Sequence, residues 1–427
     1  MICLAPSGER TAASFQQEVI VADLSPFIKT VRLRNILSFG SEGAEIDLQP
    51  LNILIGPNTS GKSNFVEILA LLRSLPRDFK AQIREGGGAL AWLWKGAAED
   101  VEGHVEILVD SLRVTYMRTS SFRYKLSFQE LFNEALITGE VLEDSKGSEM
   151  PKDQSFYYKY ADGQAVIVPD AQAPKILAIP GEATSWDSTW SRQEPILAQI
   201  KDPTTYSDLT YFGFFLRTIY LMRVGGLGRF TGARQPQRAD LPTYFLLEDG
   251  SNLGLILNDL QNRPPVWKQI TDRLKDVYPD LESIHTRVYS GHVEVLVHQK
   301  GLRAPISAQR LSDGTLRYLC LLCILCHPKP PPVICIEEPE LGLHPDMIHK
   351  VAELLREASE RTQLIVTTHS DILVSAFNDH PEAIVVCERD EDGTHFRRLE
   401  SGRLKEWLKE YSLGDLWLSG EIGGTRW

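Results

Sequence analysis

Eight consecutive residues, Gly56-Pro57-Asn58-Thr59-Ser60-Gly61-Lys62-Ser63, set two glycines, a lysine and a hydroxyl at the spacing of a phosphate-binding loop. Gly56 and Gly61 let the backbone turn successive N–H groups into one concavity, where they and a following helix N-terminus hold phosphate oxygens. Lys62 adds positive charge for the β and γ phosphates, and the Ser63 hydroxyl is suited to ligate Mg²⁺. The flanks agree: residues 51–55 form an apolar run that reads as a buried strand, and residues 65–75 form an amphipathic stretch that reads as a helix. ATP and Mg²⁺ are the cofactors this pattern calls for.

Three later segments carry groups that could complete phosphate chemistry. Val333-Ile334-Cys335-Ile336 reads as a buried parallel strand and ends in Glu337-Glu338-Pro339-Glu340. Carboxylates at the C-terminal edge of such a strand face the ligand crevice of an open α/β sheet. Glu337 is expected to hold Mg²⁺ through its water shell, and Glu338 to orient the attacking water. Leu311-Ser312-Asp313-Gly314-Thr315 leads into an apolar helical stretch over 316–325, which places Ser312 and the Gly314 backbone at a helix N-terminus suited to an anion. Leu364-Ile365-Val366-Thr367-Thr368 is a further buried strand, and His369 after it reads as a γ-phosphate sensor. Each of these alone is also an ordinary strand end, capping turn or structural histidine. Their combination with the phosphate loop selects the nucleotide reading.

The elements that must position these groups alternate between strand-like and helical runs, which argues for an α/β fold. Residues 105–109, 113–117 and 124–128 predict an antiparallel β lobe. Residues 139–204, rich in Pro, Gly, Asp and Ser, predict an irregular insertion with edge strands. The stretch 211–222 predicts a buried helix, 266–278 a second helix and 292–298 a strand, so that 205–325 reads as a helical lobe. Residues 1–26 are expected to form a poorly ordered tail, with the fold starting near Phe27.

In the order phosphate loop, Leu-Ser-x-Gly turn, acidic strand and histidine, the chain resembles the ABC-type ATPase heads of the SMC, RecF and OLD families from about residue 28 onward. It is similar in wording to stand-alone bacterial AAA-family ATPases over Leu311-Ser312-Asp313-Gly314-Thr315-Leu316-Arg317, Glu337-Glu338-Pro339-Glu340-Leu341-Gly342-Leu343-His344-Pro345 and Thr367-Thr368-His369-Ser370. The resemblance implies one ATPase domain over 27–427, with a RecA-like phosphate-loop core, an antiparallel β lobe and a helical lobe bearing the signature turn. It implies Lys62 and Ser63 on phosphate and Mg²⁺, Glu338 as catalytic carboxylate, His369 as switch, and Ser312 acting in trans on nucleotide held by a second copy. It further implies a head-to-tail homodimer working as a conformational switch in DNA maintenance or anti-phage defence. DNA and a separate effector or nuclease protein are the partners that would go with that role. Two other readings are a nucleotide-gated scaffold with little turnover and the ATPase component of a transporter, although transporter heads are shorter and use a Ser-Gly-Gly-Gln-like signature. The 58 residues after His369 are too few for the nuclease domain of OLD proteins.

The chain departs from these families in two places. Asn35-Ile36-Leu37-Ser38-Phe39 lacks the arginine that often follows this asparagine, which leaves Arg32 or Arg34 to act in cis. Gln82 is the one glutamine singled out for the Mg²⁺ side of the site, against a plain surface-helix reading. Composition narrows the partners: 57 acidic against 45 basic residues give a net charge of -12, which disfavours a general affinity for nucleic-acid phosphates. Arg223, Arg229, Arg234 and Arg238 form a local basic stretch that reads as a DNA-facing loop or a solvated connector. Cys320, Cys323 and Cys326, next to His327, fall inside a helical apolar run and read as core rather than cluster ligands. No apolar run reaches membrane-spanning length and no secretory leader is evident, so a cytoplasmic protein with no membrane partner is expected.

Overall fold

The computed structural model describes residues 28–96, 101–115, 118–145, 156–170, 175–177, 191–223 and 231–424. The tail expected over residues 1–26 lies outside them. A parallel sheet organises the nucleotide end. Its strand order is β10 (Tyr220–Met222), β15 (Val333–Glu337), β16 (Gln363–Thr367), β3 (Leu51–Ile55), β17 (Ile384–Asp390) and β18 (Gly393–Arg398). The first five strands run parallel and β18 pairs antiparallel with β17. β3 and β16 are buried at every position, as strands covered on both faces must be.

Side chains of this sheet divide by the two-residue alternation of a strand. Leu54, Val333, Cys335, Ile365, Val385 and Cys387 point into one core, which holds the helix Lys62–Ser74 and an eight-stranded antiparallel sheet. Ile53, Ile55, Ile334, Ile336, Leu364, Val366, Ile384 and Val386 point into a second core. That core holds the helices Asp313–Leu325, Pro345–Ser359 and Asp371–Ser375. The alternation therefore fixes which face each motif-bearing helix covers.

The antiparallel sheet runs β2 (Ala44–Asp47), β1 (Ile28–Arg34), β4 (Gly103–Thr115), β5 (Arg118–Leu131), β6 (Glu134–Asp144), β7 (Phe156–Ala161), β8 (Gln164–Ile167) and β9 (Lys175–Leu177). Within the irregular insertion expected over 139–204, the described residues 139–144, 156–161, 164–167 and 175–177 continue this sheet, because alternating residues such as Tyr158 and Tyr160 find a core face to cover. The helix expected over 211–222 also needs correction. The helix is Ser207–Arg217, and Tyr220–Met222 is an edge strand paired with β15, an ambiguity inherent in a short apolar run. The stretch 205–325 is not helical throughout. It contains a small sheet of β11 (Gln237–Arg238), β13 (His292–Gln299), β12 (Leu281–Tyr289) and β14 (Ile306–Ser307), packed with the helices Leu253–Gln261 and Pro264–Val277. The β13 strand and the helix anticipated at 266–278 are present. Among the described residues no helix is long and apolar enough to cross a membrane.

Candidate functional site

β3 ends at Ile55, and the chain passes through residues 56–61 into the helix Lys62–Ser74, with Gly61 as its N-cap at φ 103°. Gly56 has φ 147°, and a Cβ there would collide with the Cys387 carbonyl of β17. A Cβ at Gly61 would collide with Thr394 of β18. Both glycines are thus demanded by close approach as well as by conformation. Thr59 itself adopts a positive φ of 73°. Lys62 is 5% exposed and its ammonium donates to the carbonyl oxygens of Gly56 (2.7 Å) and Pro57 (3.0 Å), closing the loop on itself. Asn58, Thr59 and Ser63 are exposed along the rim. Ser60 is buried, and its hydroxyl oxygen is among the few described side-chain atoms that are buried with no hydrogen-bond partner.

The parallel register brings the acidic strand and the histidine strand to the same edge. Glu337 is level with Thr367, Thr367 is level with Leu54, and the Thr368 N–H donates to the Leu54 carbonyl. Glu338 follows in a left-handed conformation, φ 44°, with its N–H donating to the Thr367 carbonyl at 2.9 Å. This turn leaves the Glu338 carboxylate 3.9 Å from Nε2 of His369. Glu340 ties the two loops together, one carboxylate oxygen accepting from the Thr368 hydroxyl (2.6 Å) and from the His369 N–H (2.9 Å). Ser370 caps the short helix that follows, so the backbone on both sides of His369 is fixed.

Burial sets the electrostatics of this edge. It pushes the Lys62 amine down, against the opposing charge of Glu338. It raises the Glu337 carboxyl, with the Arg223 guanidinium opposing the shift from 3.8 Å. His369 is pulled below the ordinary imidazole value by burial first and by the charge of Lys62 second. A buried amine, a neutral-leaning imidazole and two carboxylates at one strand edge form a site that gains from an added polyanion with its cation. The residues fit a nucleotide triphosphate with Mg²⁺: the cradle is one that glycine alone permits, a hydroxyl inside it has no protein partner, and oxygen donors of Ser63 and Glu337 flank it.

Ser312 and Gly314 are placed differently. Ser312 caps the helix Asp313–Leu325 through the Thr315 N–H, and both Ser312 and Asp313 are exposed. A cavity of about 210 Å³ bordered by Tyr278, Ile306 and Arg310 opens beside Ser312 and Thr315. Gly314 packs against the turn after the acidic strand, where a Cβ would lie 2.6 Å from the Gly342 carbonyl. This helix leads into β15, which lies two strands from β3 in the sheet, an offset of roughly 10 Å. The structure brings Lys62, Glu337, Glu338 and His369 to one edge and packs the Ser312 turn against the loop that follows the acidic strand.

Several supporting residues have no local signal in the sequence. The Thr394 hydroxyl, buried beneath the phosphate loop, bonds the Ser38 hydroxyl (2.8 Å) and the Ser60 carbonyl (3.0 Å) across more than 330 residues of chain. Arg234, expected in a DNA-facing or solvated stretch, is instead 5% exposed, donates to the Leu311 carbonyl at 2.5 Å and is ion-paired with Asp313. It props the signature turn from below. Arg223 pairs with Glu67 and Arg238 with Asp240, while Arg229 lies outside the described residues. Arg32 is held by Glu45 and Glu106, and Arg34 by His104, all within the antiparallel sheet. Gln82 is on the helix Phe79–Glu85, beyond the end of Lys62–Ser74 that is distal to the phosphate loop. The described cysteines are buried thiols raised by burial, Cys320 to about 12 and Cys326 to about 11, as expected of core residues.

Comparison with known proteins agrees with this geometry. Residues 192–375 match the family model described as "AAA domain, putative AbiEii toxin, Type IV TA system". A segment of 81 residues is 42% identical to the Old nuclease of Escherichia phage P2, which is 19% of this chain and 14% of that protein. The chain thus spans about a seventh of the length of that curated relative. Among solved structures, an Smc head bound to the C-winged helix domain of ScpA aligns over 89% of this chain and 100% of its own, with a TM-score of 0.53 and 15% identity. An Smc head domain with an extended coiled coil, from Pyrococcus furiosus, aligns over 90% of this chain and 99% of its own, with a TM-score of 0.49 and 14% identity. The chain thus has the fold of an Smc head, and its partial matches to the AAA model and to the Old nuclease support the reading of a P-loop ATPase.

Proposed function

We propose that two copies of the chain associate head to tail around two molecules of Mg-ATP, and that closure and hydrolytic opening drive a conformational switch. The carrying observation is the exposed, capped Ser312 turn, which borders a cavity of about 210 Å³. A helix N-terminus with an exposed serine and a close glycine suits a γ-phosphate, and two-fold symmetry would deliver each such turn to the partner's loop. Lys62 and backbone N–H groups of residues 58–63 bind and orient the phosphates. Ser63 and Glu337 hold Mg²⁺, which when bound neutralises charge that develops on the transferred phosphoryl group. Glu338 positions the attacking water, and His369, 3.9 Å from that carboxylate, reads the γ-phosphate. A role in DNA maintenance or anti-phage defence, with DNA or a separate effector as partner, is consistent with the kinship to the Old nuclease.

Glu338→Gln tests the reading, since it removes the charge and keeps the shape. The variant is expected to bind Mg-ATP, to hydrolyse it about a hundredfold more slowly, and to accumulate as a dimer by light scattering. Normal turnover, or a monomer that persists with saturating Mg-ATP, would refute it.

A further inference from the structure

Arg317 is the fifth residue of the signature helix Asp313–Leu325 and is 7% exposed. While Ser312 and Asp313 face outward, its guanidinium turns inward and donates from Nη2 to the Glu338 carbonyl at 2.7 Å and to the Glu337 carbonyl at 3.3 Å. The Glu338 carbonyl also accepts from the Leu341 N–H at 3.1 Å, and its own N–H is committed to Thr367. A residue at positive φ persists only where its surroundings hold it there, and Arg317 supplies the one side-chain contact among these three. A second contact joins the same elements, Gly314 against the Gly342 carbonyl. The signature turn and the acidic loop therefore form one unit, with Arg317 as its buried strut. Two atoms near this strut are buried without hydrogen-bond partners among the described residues, Nε of Arg317 and the second carboxylate oxygen of Glu340, so the strut has unused capacity for a second arrangement.

We infer that Arg317 is a positioning residue for Glu338, carrying the placement of the signature turn to the carboxylate of the same chain. This rests on the ATPase reading above and deepens it. A turn that engages the partner's γ-phosphate shifts the helix, the shift reaches the Glu337 and Glu338 carbonyls through the guanidinium, and Glu338 comes into register over its own chain's nucleotide. Each site thereby senses the occupancy of the other.

The test is a double-mutant cycle on the full chain, measuring turnover at saturating Mg-ATP and affinity for a fluorescent ATP analogue. Arg317→Met, which keeps length and loses every donor, should lower kcat about tenfold with analogue affinity unchanged, and Arg317→Lys should recover part of the loss. In a Glu338→Gln background Arg317→Met should bring no further loss, because its effect runs through that carboxylate. A loss that adds fully to that of Glu338→Gln, or a kcat equal to wild type, overturns the inference. If Arg317→Met does not fold, Arg317→Gln, which loses the charge and the reach to the Glu338 carbonyl, carries the same cycle with the same criteria. Wild-type turnover by Glu338→Gln would instead remove the parent reading, and this inference with it.

Discussion

Two glutamates show how the same side chain is put to different use in the two halves of the molecule. Glu140, in β6 of the antiparallel sheet, is 1% exposed, accepts from the Tyr124 hydroxyl at 2.7 Å and from the Ile196 N–H at 2.9 Å, and so joins the sheet to the segment beside it. Glu338, at the end of the parallel sheet, is half-buried, anchored by its backbone, and its carboxylate stands 3.9 Å from an imidazole. In the first case the fold consumes the hydrogen-bonding capacity of the carboxylate, and in the second it spends main-chain contacts to leave that capacity open. Glu338 is thus the carboxylate whose backbone is held while its side chain stays available.

Substitutions at the two ends should therefore separate binding from stability. The largest effect is expected at Lys62. Lys62→Ala deletes the buried charge proposed to meet phosphate, and hydrogen bonds to charged groups contribute about 1.5–3 kcal/mol each. Affinity for Mg-ATP by calorimetry should fall by roughly a hundredfold or more, with the thermal midpoint of the nucleotide-free chain little changed. Retained affinity would break the assignment of the nucleotide end.

At the other end, burial raises the Glu140 carboxyl to about 7, opposed by the Ile196 N–H and the Tyr124 hydroxyl. The sign follows from linkage. A carboxyl raised above its unfolded value of 4.5 binds more protons in the fold, so its contribution is fully present below pH 4.5 and is lost as pH rises through about 7. Glu140→Gln removes this dependence. Between pH 5 and 8 the wild type should lose about 2 kcal/mol of unfolding free energy relative to the variant, read from urea melts, with ATP affinity equal in the two. Parallel pH profiles would show that Glu140 is not protonated by the fold.

The nucleotide end was legible in the sequence because its chemistry is contiguous. Residues 56–63, 311–315 and 337–340 each carry their own turn, cap or strand end, and parallel strands read as unbroken apolar runs. What escaped is assembled across the chain. Thr394 and Ser38 beneath the phosphate loop, Glu340 joining Thr368 to His369, and Arg234 under the signature turn depend on register between distant strands. Arg234 looked basic and solvated because a sequence displays charge without its burial. Tyr220–Met222 looked helical because three apolar residues after a helix have no period of their own, and pairing with β15 decided the matter. Of the small sheet within 205–325 only β13 was anticipated, and β11 and β14, two residues long, carry no pattern of their own.

The exposed Ser312 turn makes the shared site the central claim, and complementation between two inactive chains tests it most directly. Ser312→Arg blocks the turn and leaves the phosphate loop of that chain intact, while Lys62→Ala does the reverse. Each variant alone should be inactive. Mixed in equal amounts, they form heterodimers in which one site carries both lesions and the other neither, so ATP turnover should return toward the level of a single working site. Wild-type turnover by Ser312→Arg alone would contradict the account.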